Sequence, residues 1–311
     1  MEARDLFRWE SGATEPPQTA VLVHALRGAM DAGHAGQLVV AQLLRTHEHE
    51  RLATFEVDEL MDYRSRRPVI TFETSRFTEY EEPELALDHL STPEGGMLLL
   101  HGLEPDLRWN AFTRAVREIV EQLGVETAVG VHGIPMGVPH TRPLSITQHA
   151  NRDELVDVGP DLFGTVQLPG SAAMLLEYRL GIWGHDAVGF AAHVPHYLAQ
   201  SDYPAAAAEL LRRLSRFTGI TFDTTQLDDA AAELMVEVDK QVADSPEVQA
   251  VVRALEAQYD AFQEAAGRSL LASGDVPTGD ELAAQFEAFL AEQDAGGRNP
   301  GAPGAAGSGN S

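Results

Sequence analysis

Apolar runs of strand length alternate with stretches whose apolar positions recur every three or four residues, and this rhythm continues to about residue 222. Ala20 to Leu26 is a nearly continuous apolar run. It is followed by Gly28, Asp31 and Gly33 and then by helical spacing through Leu44, the strand, turn and helix that open a βαβ unit. Arg51 to Phe55 and Val69 to Phe72 read as further strands around a polar stretch, 58–68. Met97 to His101 is a buried-strand pattern that breaks at Gly102, and Trp109 to Leu123 sets Phe112, Ala115, Ile119 and Leu123 on one helical face. Thr127 to Val131 is a short β-branched strand, and Pro135 to Pro143 is excluded from helix by three prolines in nine residues. Leu144 to Gln148, Gly164 to Leu168 and Ala187 to His193 complete the expected strands. Ser171 to Leu180 and Tyr203 to Thr218, capped by Gly219, complete the helices of this part. Residues 1–19 read as a surface lead-in with at most one strand. Strands alternating with helices predict an α/β fold with a mainly parallel sheet covered on both faces.

From Asp223 the pattern is helical only. Leu227, Ala231, Leu234 and Val238 share one face, and Val248, Val252, Leu255, Tyr259, Phe262 and Ala266 keep a four-three rhythm. The simplest reading is an antiparallel helix pair joined near Ser245-Pro246, with a last short helix over Asp280 to Gln293 burying Leu282, Phe286 and Leu290. Ala295 to Ser311 is Gly, Ala, Pro, Asn and Ser with one arginine, and it has too little apolar area to offset its ordering entropy. The predicted organisation is an α/β domain over 1–222, an acidic helical subdomain over 223–294 and a disordered tail over 295–311.

The net charge of −26 repels phosphate backbones and anionic lipid headgroups, which argues against nucleic-acid and membrane-surface partners. Half of it, a net of −13 from 17 acids and 4 bases, falls on residues 223–311. The chain has no cysteine, and Lys240 is the sole lysine beside 21 arginines, in none of the settings of a Walker loop, a kinase ATP site or a Schiff base. No apolar run approaches the ~20 residues of a membrane span. Met1 to Glu10 is charged and lacks a signal-peptide apolar region, so a cytoplasmic protein is expected.

Candidate chemistry lies where strands give way to polar loops. Gly28 to Gly33 lacks the G-x-G-x-x-G spacing of a dinucleotide loop, and Asp31 is read as the cap of the following helix. Glu104, Asp106 and Arg108 offer an acid and base pair with an anion clamp. Equally, Asp106 caps the helix near Trp109 and Arg108 pairs with Glu104. His140 and Arg142 sit in a segment stiffened by Pro139 and Pro143, which combines a titratable ring with a bidentate donor. His193 and His196 form an H-x-x-H that straddles Pro195 off a strand end. A metal there would need a third ligand from His140 or Glu104, and no metal or cofactor site is assigned. There is no G-x-S-x-G elbow, and Ser171 reads as a helix start.

Four tracts in this order resemble the PAC2 family, named after a proteasome assembly chaperone, in its actinobacterial branch of unknown function. They are Asp62-Tyr63-Arg64-Ser65-Arg66-Arg67-Pro68, Gly102-Leu103-Glu104-Pro105-Asp106-Leu107-Arg108-Trp109, Pro139-His140-Thr141-Arg142-Pro143 and Gly189 through Tyr197. The resemblance covers about residues 15–290. It implies a three-layer α/β/α sandwich whose central sheet is similar to that of nucleoside phosphorylases and peptidyl-tRNA hydrolases, and self-association as a trimer or dimer. Eukaryotic relatives are chaperones that hold proteasome α subunits. The expectation is therefore a non-enzymatic protein-binding or assembly homo-oligomer. The alternative is a hydrolase or phosphorylase-like enzyme on a small anionic or nucleoside-like substrate. Glu104 or Asp106 would be its base, His140 or His193 its acid and Arg142 or Arg108 its anion clamp; a small-molecule ligand is left open. Both expectations require these distant tracts to meet at one rim of the sheet.

Overall fold

The computed structural model describes residues 3–10, 19–28, 30–156 and 165–271. One compact unit comprises 1–158 and 169–260, and the second, 159–168 with 261–311, lies largely outside the described residues. In chain order the strands are β1 (Phe7–Trp9), β2 (Val21–Arg27), β3 (His49–Phe55), β4 (Ile70–Glu73), β5 (Arg76–Tyr80), β6 (Leu85–Thr92), β7 (Gly95–Leu103), β8 (Thr127–Met136), β9 (Ile146–Ala150) and β10 (Asp186–Pro195). The helices are α1 (Ala35–Thr46), α2 (Val57–Leu60), α3 (Trp109–Leu123), α4 (Ala172–Ile182), α5 (Pro204–Thr218), α6 (Thr225–Ala243) and α7 (Pro246–Leu271).

Eight strands form one sheet in the order β1-β3-β6-β7-β2-β8-β10-β9, and β4 and β5 pair as a separate hairpin. The centre is parallel, β7 to β2 to β8 to β10, and antiparallel pairings extend it on both sides. Consequently the loops after β7, β2, β8 and β10 leave from the same edge of the sheet.

The central strands are apolar at nearly every position because both faces are covered. Val23, Leu99, Val129 and Val188 point into a core shared with Val39 and Leu43 of α1 and with Leu210, Leu211 and Leu214 of α5. Their neighbours Leu22, Leu98, Leu100 and Ala128 point into a second core with Phe112, Val116 and Ile119 of α3 and with Leu176 and Leu180 of α4. The alternation is the period-two geometry of a strand, so a one-residue slip would exchange the two cores. Helix α5 starts on Pro204 and stops at Gly219, whose φ of 76° supplies the left-handed turn after its last residue. Leu227 of α6 joins the first core, and Leu234 and Met235 pack against it. The break between α6 and α7 falls at Asp244-Ser245, next to the expected joint.

Two strands, β5 and β6, were not legible in the apolar pattern, and one expected strand does not form. Gly164 of that tract lies outside the described residues, while Thr165 to Leu168 is irregular, with Val166 and Leu168 exposed. The side of β10 away from β8 is taken by β9, which pairs with it over Ile146 to Ala150. The helix expected over 280–293 and the tail over 295–311 lie outside the described residues. Among the described residues no helix is long and apolar enough to cross a membrane.

Candidate functional site

All seven candidate residues lie at the edge where the parallel strands end. Glu104, Asp106 and Arg108 follow β7, His140 and Arg142 follow β8, His193 is near the C-terminal end of β10 and His196 comes just after it. The tracts share one rim. Their side chains, however, form two groups.

The first group borders a cleft of about 700 Å³ lined by Arg27, Gly28, Arg66, Asp106, Trp109 and Ser171, among others. Glu104 is buried, and its Oε1 accepts the N–H of Ala172 at 2.7 Å. Ser171 Oγ accepts the N–H of Met174 at 3.1 Å. Two side chains thus cap α4, and the carboxylate also complements the positive end of the helix dipole. Gly28 makes room for this: a Cβ there would lie 1.7 Å from Glu104 Oε2, so any larger residue would displace the carboxylate. Asp106 accepts the N–H of Asp62 at 2.9 Å and pairs with Arg66 at 2.6 Å. Arg66 also donates to the carbonyls of Arg27, at 3.3 Å, and Glu104, so a single guanidinium joins the ends of β2 and β7. Arg108 pairs with Glu59 of α2 at 2.8 Å.

These contacts correct two sequence expectations. Arg108 does not pair with Glu104, whose carboxylate is turned inward to α4. Asp106 does not cap α3: the residue at that position is Arg108 itself, in a left-handed conformation (φ 56°) with no side-chain cap. Asp31 does cap α1 as expected, accepting from the N–H groups of Gly36 at 2.8 Å and Gln37 at 3.1 Å, and it also accepts from Gly133 N–H at 3.1 Å.

The second group ties the C-terminal helices to the rim. His140 Nδ1 is 2.6 Å from the Tyr197 hydroxyl, which also accepts the His140 backbone N–H at 2.9 Å. His140 Nε2 lies 3.2 Å from Asp239 of α6. Arg142 donates twice to Asp260 of α7, both bonds at 2.7 Å, and once to Glu256 at 3.2 Å. Thr141 donates to Glu256 at 2.6 Å, and the Tyr259 hydroxyl donates to the Pro143 carbonyl at 3.0 Å. Arg142 holds Asp260 below the usual carboxylate range, and Asp260 in turn raises Arg142. His193 is buried, which lowers its pKa, and its Nε2 is 2.7 Å from Thr147 Oγ1. His196 is exposed beyond Pro195, its ring edge-on to Tyr197 with centroids 5.3 Å apart. Among the described residues no group of three or more His, Asp or Glu side chains is arranged to hold a metal ion.

Sequence reasoning missed Arg66 as the hub of the first group, although it lies in one of the quoted tracts. It also missed a polar row across the sheet. The register aligns His24 of β2, Gly130 of β8, Gly189 of β10 and His149 of β9. The two glycines leave space for the rings: a Cβ on Gly130 would lie 2.7 Å from His24, and one on Gly189 2.2 Å from His149. Burial pushes His24 and His132 down to about 4. Burial also pulls on His149, but the hydrogen bond and charge of Glu177, 3.1 Å away on α4, outweigh it and raise its pKa. Because these groups come from separate strands and a helix, no linear spacing announces them; glycines in adjacent central strands are the only trace.

The family model described as the PAC2 family matches residues 25–242. A Mycobacterium tuberculosis protein of unknown function has a similar solved structure, at 47% identity and TM-score 0.81, over 86% of this chain and 92% of that one. A protein of unknown function from Corynebacterium glutamicum is similar at 37% identity and TM-score 0.79, over 84% and 98%. A proteasome-assembly chaperone homologue from Mycobacterium tuberculosis is similar at 26% identity and TM-score 0.67, over 75% and 99%. No curated protein sequence matches the chain significantly.

Proposed function

The chain belongs to the PAC2 family, and on that premise we propose that it is a non-enzymatic, chaperone-like protein of the cytoplasm that binds other proteins and further copies of itself. One observation carries this reading: the rim residues suited to catalysis are engaged within the chain. Glu104 caps α4, Asp106 and Arg66 hold two strand ends together, Arg108 holds Glu59, and His140 and Arg142 seat α6 and α7. Groups so engaged are poorly placed to exchange protons with a substrate. The similarity to a proteasome-assembly chaperone homologue supports the same reading. The strand-end loops and the acidic helices from Asp223 onward are its contact surfaces. The alternative, a hydrolase or phosphorylase-like enzyme, has less support, because its base and its acid belong to different groups and no histidine lines the cleft.

The test is affinity purification of the full chain from its native cell, read by quantitative mass spectrometry. A stoichiometric protein partner, self included, is expected. Recovery of none, together with turnover of nucleosides or esters that Glu104→Gln abolishes, would overturn the proposal in favour of the enzyme.

A further inference from the structure

Strands β2 and β7 lie side by side and parallel, but the chain leaves them towards opposite faces of the sheet. After β2 it turns to α1, which packs in the first core, and after β7 it turns to α3, which packs in the second. Neighbouring parallel strands whose connections diverge in this way leave a crevice beyond their carboxyl ends, and open α/β sheets bind ligands in such crevices. The cleft of about 700 Å³ stands there, bordered by Arg27 and Gly28 after β2 and by Glu104 to Asp106 after β7. That volume suits a small ligand.

The charges of the cleft narrow the class of ligand. Asp106 is paired with Arg66, and Glu104 caps α4. Of the other charged residues in the lining, Arg27 and Arg67 have no carboxylate partner among the described residues, and Glu81 and Glu82 meet no cation there; all four are exposed. The cleft therefore offers unpaired charges of both signs. Strand β6 is antiparallel to β7, so its start, which Glu81 and Glu82 precede, shares the rim with Arg27 at the end of β2. With β7 between them, these two strand ends lie two strand spacings apart, roughly 10 Å. About three residues of extended chain span that distance. The lining also includes Met61, Val69, Leu103 and Trp109, whose indole N–H donates to the Pro105 carbonyl at 2.7 Å and so fixes the ring.

We infer that this cleft binds a short peptide of about three residues with both termini free. Its carboxylate meets Arg27, its ammonium meets Glu81 and Glu82, and its central apolar side chain lies against the apolar lining at Trp109. Arg67 donates to its carbonyls. The inference goes beyond the protein-binding reading, since the ligand is a free peptide and no partner protein is needed.

Isothermal titration of the full chain tests it. The probes are tripeptides with phenylalanine, leucine or valine between two alanines, each made with free termini, with an acetylated amino end and with an amidated carboxyl end. A free tripeptide is expected to bind, and capping either end should weaken it about tenfold or more, the loss of one charge-assisted contact. Arg27→Ala should weaken the free and acetylated peptides and leave the amidated one unchanged. Glu81→Gln with Glu82→Gln should weaken the free and amidated peptides and spare the acetylated one. All three substituted residues are exposed, and circular dichroism melts check that the fold is kept. A merely structural role for these residues would lower binding of all three forms alike. That result would overturn the inference, and so would capped peptides that bind as well as free ones, or no binding tighter than about 1 mM. Capture of partners from the native cell tests the protein-binding reading separately, so either can fail without the other.

Discussion

The two ends of the rim use the same residue types in different ways. At the β7–β2 end the carboxylates are held largely by backbone: Glu104 by the first N–H of α4 and Asp106 by the N–H of Asp62. The cation between them, Arg66, reaches two carbonyls besides. At the β8–β10 end the partners are carboxylates from helix surfaces, Asp239 at 67% and Asp260 at 50% exposure. Backbone-anchored, part-buried charges are part of the frame, because removing one leaves neighbours without hydrogen bonds. Exposed ion pairs form a seam whose strength depends on solvent screening.

The comparison breaks most readily at Arg66. Arg66→Ala is expected to cost about 2–3 kcal/mol in chemical denaturation, since it leaves Asp106 and two carbonyls short of a donor. Arg66→Lys should recover only part, because an ammonium cannot reproduce the planar fork. A cost smaller than that of Arg142→Ala would reverse the comparison.

A pH titration sharpens it. His24 and His132 are held neutral with pKa values of about 4, against an ordinary value of 6.5. Between these values the unfolded chain binds more protons than the folded one, so stability is complete above about pH 6.5 and falls as pH drops towards 4. The loss attributable to His24 should reach about 2 kcal/mol near pH 4.5, and His24→Leu should flatten it. Asp260, held below the usual carboxylate range by Arg142, stays charged over that interval, so the seam should survive a pH drop that weakens the sheet. Early loss of α7 amide protection at pH 4.5 would contradict this.

The smallest effect is expected at the seam. Arg142→Ala should leave the global melting point nearly unchanged and accelerate amide exchange in α7 over residues 246–260. High salt should bring the unaltered protein towards the same exchange rates. A variant that melts well below the unaltered protein would place Arg142 in the frame.

What the sequence revealed follows the same division. Helix α3 was readable to the residue because Phe112, Ala115, Ile119 and Leu123 repeat on one face and bury there. The parallel centre was readable because both faces of its strands are apolar. Strand β6 was not, because Asp88 and His89 interrupt its apolar run. Asp88 is tolerated there only because His101, 2.8 Å away, and Arg51 hold it charged against the cost of burial. Strand β5 was not readable either, because all five of its residues are exposed and no core imposes a pattern. The rim was predictable from topology, yet its pairings were not. Arg108 chose Glu59, far away in sequence, over Glu104, and Glu104 chose a helix terminus whose position depends on the whole fold.

The most direct test of the claim that the rim serves the fold is the folding free energy of Glu104→Ala. A carboxylate that caps α4 should cost about 1–2 kcal/mol when removed. A residue kept for catalysis against the interest of stability should instead leave the protein equally stable or more so. A measured loss of that size is the predicted result, and unchanged or increased stability would contradict it.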